Sequence, residues 1–411
     1  MKDFFTVTPL EKVFAYIQAF PKAGMETVPI ESAFGRILAE DIISSEDIPG
    51  FARSTMDGYA VWAKSTFGAT EGNPAYLTVS GGAVAMGEIP AAPLPFGQAT
   101  RISTGGMLPI GADSVVMLEY ATEIDETALE ISKSVAPGTN VIFRGEDVPA
   151  GKIQLSAGRM LRPQEIGLLA ALGFSTVAVY RKPAIGIIST GNEIVPVDKI
   201  PGPAQVRDVN SYSIGSQVME AGGSPVRFGI IKDDFNLLRN ACETALATCD
   251  MVILSGGSSV GTRDLTIEVL NAFRNAEILV HGIPVSPGKP TILARVGNKP
   301  VWGLPGHITS AMVVFHRVVR PFVEHACGIA GRGDFRQPVL RAMLSRNIAS
   351  AQGRIDFVRV RLTETGNGLT AEPVLGKSGL INTMVAADGL IEIGMNTEGL
   401  MRGSVVAVIP L

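Results

Sequence analysis

The sequence predicts a multidomain α/β and β protein, and three observations carry that prediction. At 411 residues the chain is too long for one compact core, so two to four domains are expected. Between residues 183 and 327, apolar strand-like runs alternate with helical patterns over short links, which argues for a parallel, doubly wound sheet. Elsewhere the pattern shifts to short alternating segments cut by Gly and Pro, which read as β-rich.

Composition narrows the class. With 46% hydrophobic, 18% charged and 6% aromatic residues, the chain resembles an ordinary folded soluble protein. Its 46 Gly and 26 Pro are scattered rather than periodic, so they mark tight turns and not a collagen-like repeat. A net charge of −4 gives no general pull toward nucleic acid or an anionic membrane, so any anion site must be local. The three cysteines form no CxxC pair, and the four histidines lack metal-ligand spacing, which argues against structural zinc or a disulfide framework. The start, MKDFFTVTPLEKVF, has no apolar signal core, and no run reaches membrane-spanning length; a cytoplasmic protein is expected.

The elements follow in order. Thr8, Pro9 and Glu11 read as a capping box, with Leu10, Val13, Phe14 and Ile17 as the apolar stripe of a first helix. From about Leu38 to Glu165 the chain reads as β without long helices. Pro163 to Gly173 resembles a helix closed by glycine, with Ile166, Leu169 and Ala170 inward. Then come a strand in AIGIIST, a helix over Asn210–Ala221, a strand in PVRFGII and a helix over Asp234–Ala247. A strand in MVILS leads to a helix over Asp264–Asn275, with Asp264 placed to cap it. Further strands are expected near 277–280, 291–296 and 301–304, then a helix from Ile308 to about Ala326. After a polar linker, Val358, Val360 and Leu362 alternate with Arg359 and Arg361 in DFVRVRL, as in a small β-domain.

The strand ends carry the chemistry. Ligands of such sheets sit beyond the carboxyl ends of the strands. Those ends carry Gly191-Asn192-Glu193, Ser255-Gly256-Gly257, Pro287-Gly288-Lys289 and Leu304-Pro305-Gly306. In ILSGGSSVGTRD a strand runs through a glycine-serine loop into a helix, which offers backbone N–H groups to an oxyanion or phosphate. Glu193 and Asp264 lie on ligand-side loops, and Lys289 is the one lysine in them, suited to a charge-assisted contact. Asp57 and Asp147 read most simply as turn residues, and one of Asp233 and Asp234 as a helix cap. His307 reads as a polar helix-start residue. GIPVSPGKP is not a Walker A loop, and no GxGxxG opens the sheet. Arg332-Gly333-Asp334 matches a cell-adhesion tripeptide by chance.

Together PGFARSTMDGYAV, ISTGGMLPIGADSVVMLE, FRGEDV, ISTGNEIV, ILSGGSSVGTRD, SPGKP and GLPGH resemble, in order and spacing, the molybdopterin molybdenumtransferase family, the MoeA and gephyrin E-domain class. The resemblance implies a discontinuous N-terminal domain (1–50 and 142–180) and an inserted β-rich domain (51–141). It further implies a molybdopterin-binding α/β domain (181–328) and a small C-terminal β-barrel-like domain (335–411). It implies a homodimer whose clefts draw on both subunits, and insertion of molybdate into adenylylated molybdopterin with Mg2+-assisted release of AMP. An upstream molybdopterin adenylyltransferase and downstream molybdoenzymes are the implied neighbours.

Carried over by motif, the catalytic residues are Asp57, Thr104, Asp147, Glu193, Asp233, Asp264 and Lys289, with Glu193 and Asp264 toward the metal. Thr190, Gly191, Ser255, Gly256, Gly257, Ser258, Gly288, Pro305 and Gly306 would hold the pterin substrate. Alignment of KDD gives Asp233 the functional role and leaves Asp234 as cap. Two departures stand out: Gly282 and Ser286 occupy positions where some relatives carry lysines, and His307-Ile308 replaces Asn-Pro. Tungstate insertion by the same chemistry, a dimeric scaffold of the gephyrin type and an adenylylating transferase are the competing readings. The residues before Pro183 fit the insertion enzyme better than the adenylylating one.

Overall fold

In the computed structural model, residues 7–256, 260–329, 339–366 and 368–411 are described, and of 260–264 only the backbone. They fall into two compact units. One takes in the chain up to Glu40, Ala157–Ile166 and Ser175–Leu411, and the other Asp41–Ser156 and Gly167–Phe174.

The first unit is built on a six-stranded sheet of β1 (Ala184–Thr190), β2 (Ser224–Ile231), β3 (Met251–Gly256), β4 (Ala276–His281), β5 (Ile292–Val296) and β6 (Lys299–Leu304), in the order β2-β1-β3-β6-β5-β4. Strands β2, β1, β3 and β6 run parallel, as the βα alternation predicts. Strand β5 runs antiparallel to both neighbours, a departure from the parallel sheet expected. Its cause is local. Val296 pairs with Lys299 across Gly297-Asn298, with Gly297 at φ 63°, and so short a connection can only make a hairpin.

The central strands are apolar throughout because both faces are covered. Helices α1 (Leu10–Ala15), α3 (Asn210–Glu220), α6 (Ile308–Val314) and α7 (Arg320–Ala326) bury Leu10, Val13, Ile214, Val218, Val313 and Phe322 with Ile185, Ile187, Ile253 and Trp302. Trp302 meets Phe322 edge-on, ring centroids 4.9 Å apart. On the other face, Leu238, Cys242 and Ala245 of α4 (Phe235–Thr248) and Val269 and Leu270 of α5 (Val260–Asn271) pack on Ile188, Val252, Leu254 and Val301. Helices α6 and α7 are one continuous run interrupted by a π-type stretch at Phe315–Val319.

Three local expectations are corrected. Helix α1 starts at Leu10 with Pro9 at the N-cap and no side-chain cap bond; the Thr8 N–H donates instead to the Gly282 carbonyl. In α2 (Pro163–Ala171) the inward positions are Glu165 and Leu169, with Leu172 buried just past its end, while Ile166 is half-buried and Ala170 exposed. Helix α5 begins at Val260, so Asp264 lies inside it rather than at its cap.

The C-terminal region closes on itself. Strands β7 (Leu340–Leu344), β8 (Ile355–Thr365), β9 (Gly368–Pro373), β10 (Gly389–Ile393) and β11 (Val405–Pro410) pair in the cycle β8-β9-β7-β11-β10-β8, a five-stranded barrel around Val360, Ala371, Ile391 and Val408. The short strand Val285–Ser286 pairs parallel with the start of β8, fixing the Pro287-Gly288-Lys289 loop beside the barrel.

The second unit is β-rich, as expected. Its main sheet orders Ser114–Met117, Gly58–Val61, Gln98–Ile102, Ala75–Val79, Ala128–Ile131 and Ala121–Glu123 over a core of Tyr59, Val61, Leu77, Leu129 and Ile131.

Candidate functional site

At the carboxyl ends of β1 and β2, the buried Thr190 hydroxyl donates to Asp233 Oδ1 at 2.7 Å, and the Asp233 N–H donates to Asn192 Oδ1 at 3.3 Å. Asp234 turns the other way and accepts from Leu237 N–H at 2.9 Å, capping α4. Asp234 is thus the cap, as expected, while Asp233 is held by the Thr190 hydroxyl at the strand end. Glu193 is exposed and curls back over Gly191, where a Cβ would stand 2.8 Å from its Oε2. Gly256 pairs with Thr190 across β1 and β3, at φ 154°, and a Cβ there would meet the Thr190 carbonyl oxygen at 1.9 Å. Only glycine fits.

Beneath these loops lies a polar layer that sequence reasoning missed. Asp208 is 5% exposed and accepts from Ser189 Oγ at 2.9 Å, from Ser211 N–H at 3.2 Å and from Ser211 Oγ. Asn210 donates through Nδ2 to the Gly306 carbonyl at 2.8 Å, tying α3 to the loop before α6, while its buried Oδ1 has no partner. The Ser255 hydroxyl is likewise buried without a partner.

A cavity of about 900 Å³ opens between the Pro287–Lys289 loop, the start of α6 and the barrel. Lys289 is exposed on its wall, and Gly288, at φ 126°, is held by Thr291 Oγ1 donating to its carbonyl at 2.7 Å. A Cβ on Gly288 would strike Val314 Cγ2 at 2.2 Å, so close packing against α6 requires glycine there. Pro305 and His307 also line the cavity, and His307 Nδ1 shares a 2.9 Å hydrogen bond with Ser378 Oγ.

The barrel wall supplies the strongest feature. Arg359 lines this cavity at 9% exposure; its Nη2 donates to the Gly376 carbonyl at 2.9 Å, and its Nε and Nη1 are buried without partners. Burial pushes its pKa below the usual arginine value. Nearby Asp356, itself buried, accepts from Arg354 Nε at 3.0 Å and Ser350 Oγ at 2.6 Å. Each unmet donor of a buried guanidinium costs about 1–3 kcal/mol. In sequence Arg359 looked like the solvated side of an alternating strand; the alternation hid it.

In the second unit, Asp57 Oδ1 accepts from both the N–H (2.7 Å) and the hydroxyl (3.1 Å) of Thr104, so two of the expected residues form one exposed cluster. Asp147 is exposed, and its N–H donates to the Ile48 carbonyl at 3.2 Å. Gly257, Ser258 and the side chain of Asp264 lie outside the described residues, as does Arg332-Gly333-Asp334.

Comparison with known proteins places this arrangement. Family profiles match residues 8–173 as the MoeA N-terminal region (domains I and II), 186–325 as a probable molybdopterin-binding domain, and 341–411 as the MoeA C-terminal region (domain IV). The chain belongs to the MoeA family of molybdopterin molybdenumtransferases. Among MoeA relatives, the molybdopterin molybdenumtransferase of Bacillus subtilis is 31% identical over 413 residues, covering 98% of this chain and 94% of its own. A putative molybdopterin biosynthesis protein of Methanocaldococcus jannaschii is 34% identical over 97% of this chain and 94% of its own. The crystal structure of a molybdopterin biosynthesis MoeA protein from Pyrococcus horikoshii OT3 superposes with a TM-score of 0.84, at 30% identity, covering 99% of this chain and all of that one. The sheet, the barrel and the β-rich second unit are thus the MoeA architecture.

Proposed function

We propose that this MoeA-family enzyme of molybdenum cofactor biosynthesis inserts molybdate into adenylylated molybdopterin and releases AMP. One observation supports the reading above the rest: Arg359, whose buried Nε and Nη1 have no protein partner, lines one cavity with Lys289 and Ser378. A tetrahedral oxyanion or a phosphoanhydride is acceptor-rich and satisfies such donors, while a neutral ligand without acceptors does not. Arg359 and Lys289 bind and orient the anionic substrates, and the Gly191 and Gly256 loops bring backbone close to the pterin phosphate.

Magnesium fits the residues present. Glu193, Asp233 and the Thr190 hydroxyl are hard oxygen donors, and magnesium takes one or two carboxylates while keeping its waters. No group of three or more His, Cys, Asp or Glu stands together among the described residues, so a dedicated all-protein cage is not part of this reading. When bound, the ion neutralises charge on the phosphoanhydride as AMP leaves. Glu193 and, by family motif, Asp264 would hold it, with Asp233 and the Thr190 hydroxyl beside its waters. Asp57, Thr104 and Asp147 would complete the cleft from a second copy of the chain in a cytoplasmic homodimer.

The test is AMP release from adenylylated molybdopterin by the purified protein, with and without molybdate. Release that requires molybdate supports the reading, and no molybdate dependence overturns it. Tungstate in a parallel arm separates the two oxyanions.

A further inference from the structure

A second cavity, of about 660 Å³, lies in the first unit at the opposite end of the strands from the cleft. Arg181 and Lys182, just before β1, and Glu220–Gly222, just before β2, form part of its wall. Nothing in the proposed reaction uses it.

Its lining is cationic and held in place. Arg36, Arg159, Arg162, Arg181, Lys182 and Arg320 face Glu220 and Glu324. Glu165 is 2% exposed and serves two cations at once, accepting from Arg159 Nη2 and Arg162 Nη2 at 2.7 Å each. Those bonds depress its pKa to about 2, with Arg162 the larger cause. Arg36, its side chain 12% exposed, pairs with Glu26 and donates through Nη2 to the Tyr180 carbonyl at 2.9 Å. Arg320 donates to Glu324 through Nε at 2.8 Å and to Glu220 through Nη1 at 2.7 Å. Each guanidinium is thus anchored along one edge. Among the described residues, Arg36 Nη1, Arg159 Nη1, Arg320 Nη2 and the Lys182 ammonium donate to no protein group.

The rest of the lining differs. Helices α3 and α7 end there, at Glu220 and Ala326, and bring the Glu220 and Glu324 carboxylates to the cavity as acceptors. Phe34 (67% exposed), Met160 and Met219 add an apolar rim. The ligand must therefore carry an anion with several acceptor oxygens at one end, hydrogen-bond donors on its body, and an apolar ring face. A phosphomonoester dianion offers three acceptor oxygens to the anchored guanidiniums and the ammonium, where a carboxylate offers two. The volume suits a small molecule.

We propose that this cavity binds a nucleoside monophosphate, with its phosphate on the Arg36–Arg159–Lys182 wall and its donor-bearing base and sugar toward the α3 and α7 ends. Calorimetric titration of the full chain with uridine 5′-monophosphate, uridine and inorganic phosphate tests this. Saturable binding of the nucleotide is expected at millimolar concentration, with phosphate weaker and uridine showing none. Lys182→Glu, a change at an exposed position, should weaken nucleotide binding about tenfold or more, and Arg159→Gln should do the same. Arg359→Met should leave it unchanged. No saturable binding overturns the proposal, as does equal affinity for phosphate alone or an unaffected Lys182→Glu variant. Loss of binding in Arg359→Met but not in Lys182→Glu would place the nucleotide in the substrate cleft and also overturn it.

Discussion

Replacing Arg359 by methionine should make the protein more stable and less functional at once. In the ligand-free protein the guanidinium leaves Nε and Nη1 buried and unpartnered, at about 1–3 kcal/mol each, so about 2–6 kcal/mol is held against folding. The single bond it makes, to the Gly376 carbonyl, returns about 1.5–3 kcal/mol. Methionine fills a similar volume without a charge, so at the midpoints of those ranges the variant should gain about 2 kcal/mol, seen as a rise of a few degrees in the unfolding midpoint. Molybdate should raise the midpoint of the wild type and leave that of Arg359→Met unmoved. Scanning calorimetry with and without molybdate reads both effects. A variant less stable than wild type, or one still stabilised by molybdate to the wild-type extent, would refute the claim that these donors await an anion.

Other perturbations follow from the same geometry. Glu165→Gln removes a buried carboxylate shared by two guanidiniums, which are themselves half-exposed and screened. The loss should be about 2 kcal/mol after that discount. Because its folded-state pKa lies near 2 rather than 4.5, that stability is complete above about pH 4.5 and fades as pH falls toward 2; acid unfolding curves of wild type and variant should converge there. Gly256→Ala places a Cβ 1.9 Å from the Thr190 carbonyl oxygen at φ 154°, so it should cost at least about 1–3 kcal/mol in strain and be detected by a lowered melting midpoint. Lys289→Ala should raise the molybdate concentration for half-maximal AMP release about tenfold with little change in melting, and superimposable titrations would remove Lys289 from the site. Light scattering should report twice 43.2 kDa, and an active monomer would end the proposal that two copies share a cleft.

Much of this arrangement is legible in the residues. The βα alternation and the glycine loops at the strand ends follow from local chemistry, whereas local chemistry says only that one of Asp233 and Asp234 caps and the family motif says which. Other features depend on tertiary pairing. Strand β5 reads the same in either direction until the Gly297-Asn298 hairpin fixes it as antiparallel. Helix α5 extends back to Val260, through a β-branched residue and a glycine that propensity scores poorly. Thr8 looks like a cap in sequence, but its N–H is taken by Gly282 from far along the chain. Arg359 is the instructive case. Strand alternation assigns it to solvent, and only the barrel's closure against the Pro287–Lys289 loop buries it facing a cavity.

The central claim is that molybdate enters the pterin as AMP leaves. It is tested most directly by incubating the purified protein with adenylylated molybdopterin, magnesium and molybdate, then counting AMP released against molybdenum bound to the recovered pterin. One AMP per molybdenum, with neither appearing when molybdate is withheld, is the predicted result. AMP release that proceeds at the same rate without molybdate, or leaves a molybdenum-free pterin, would contradict it.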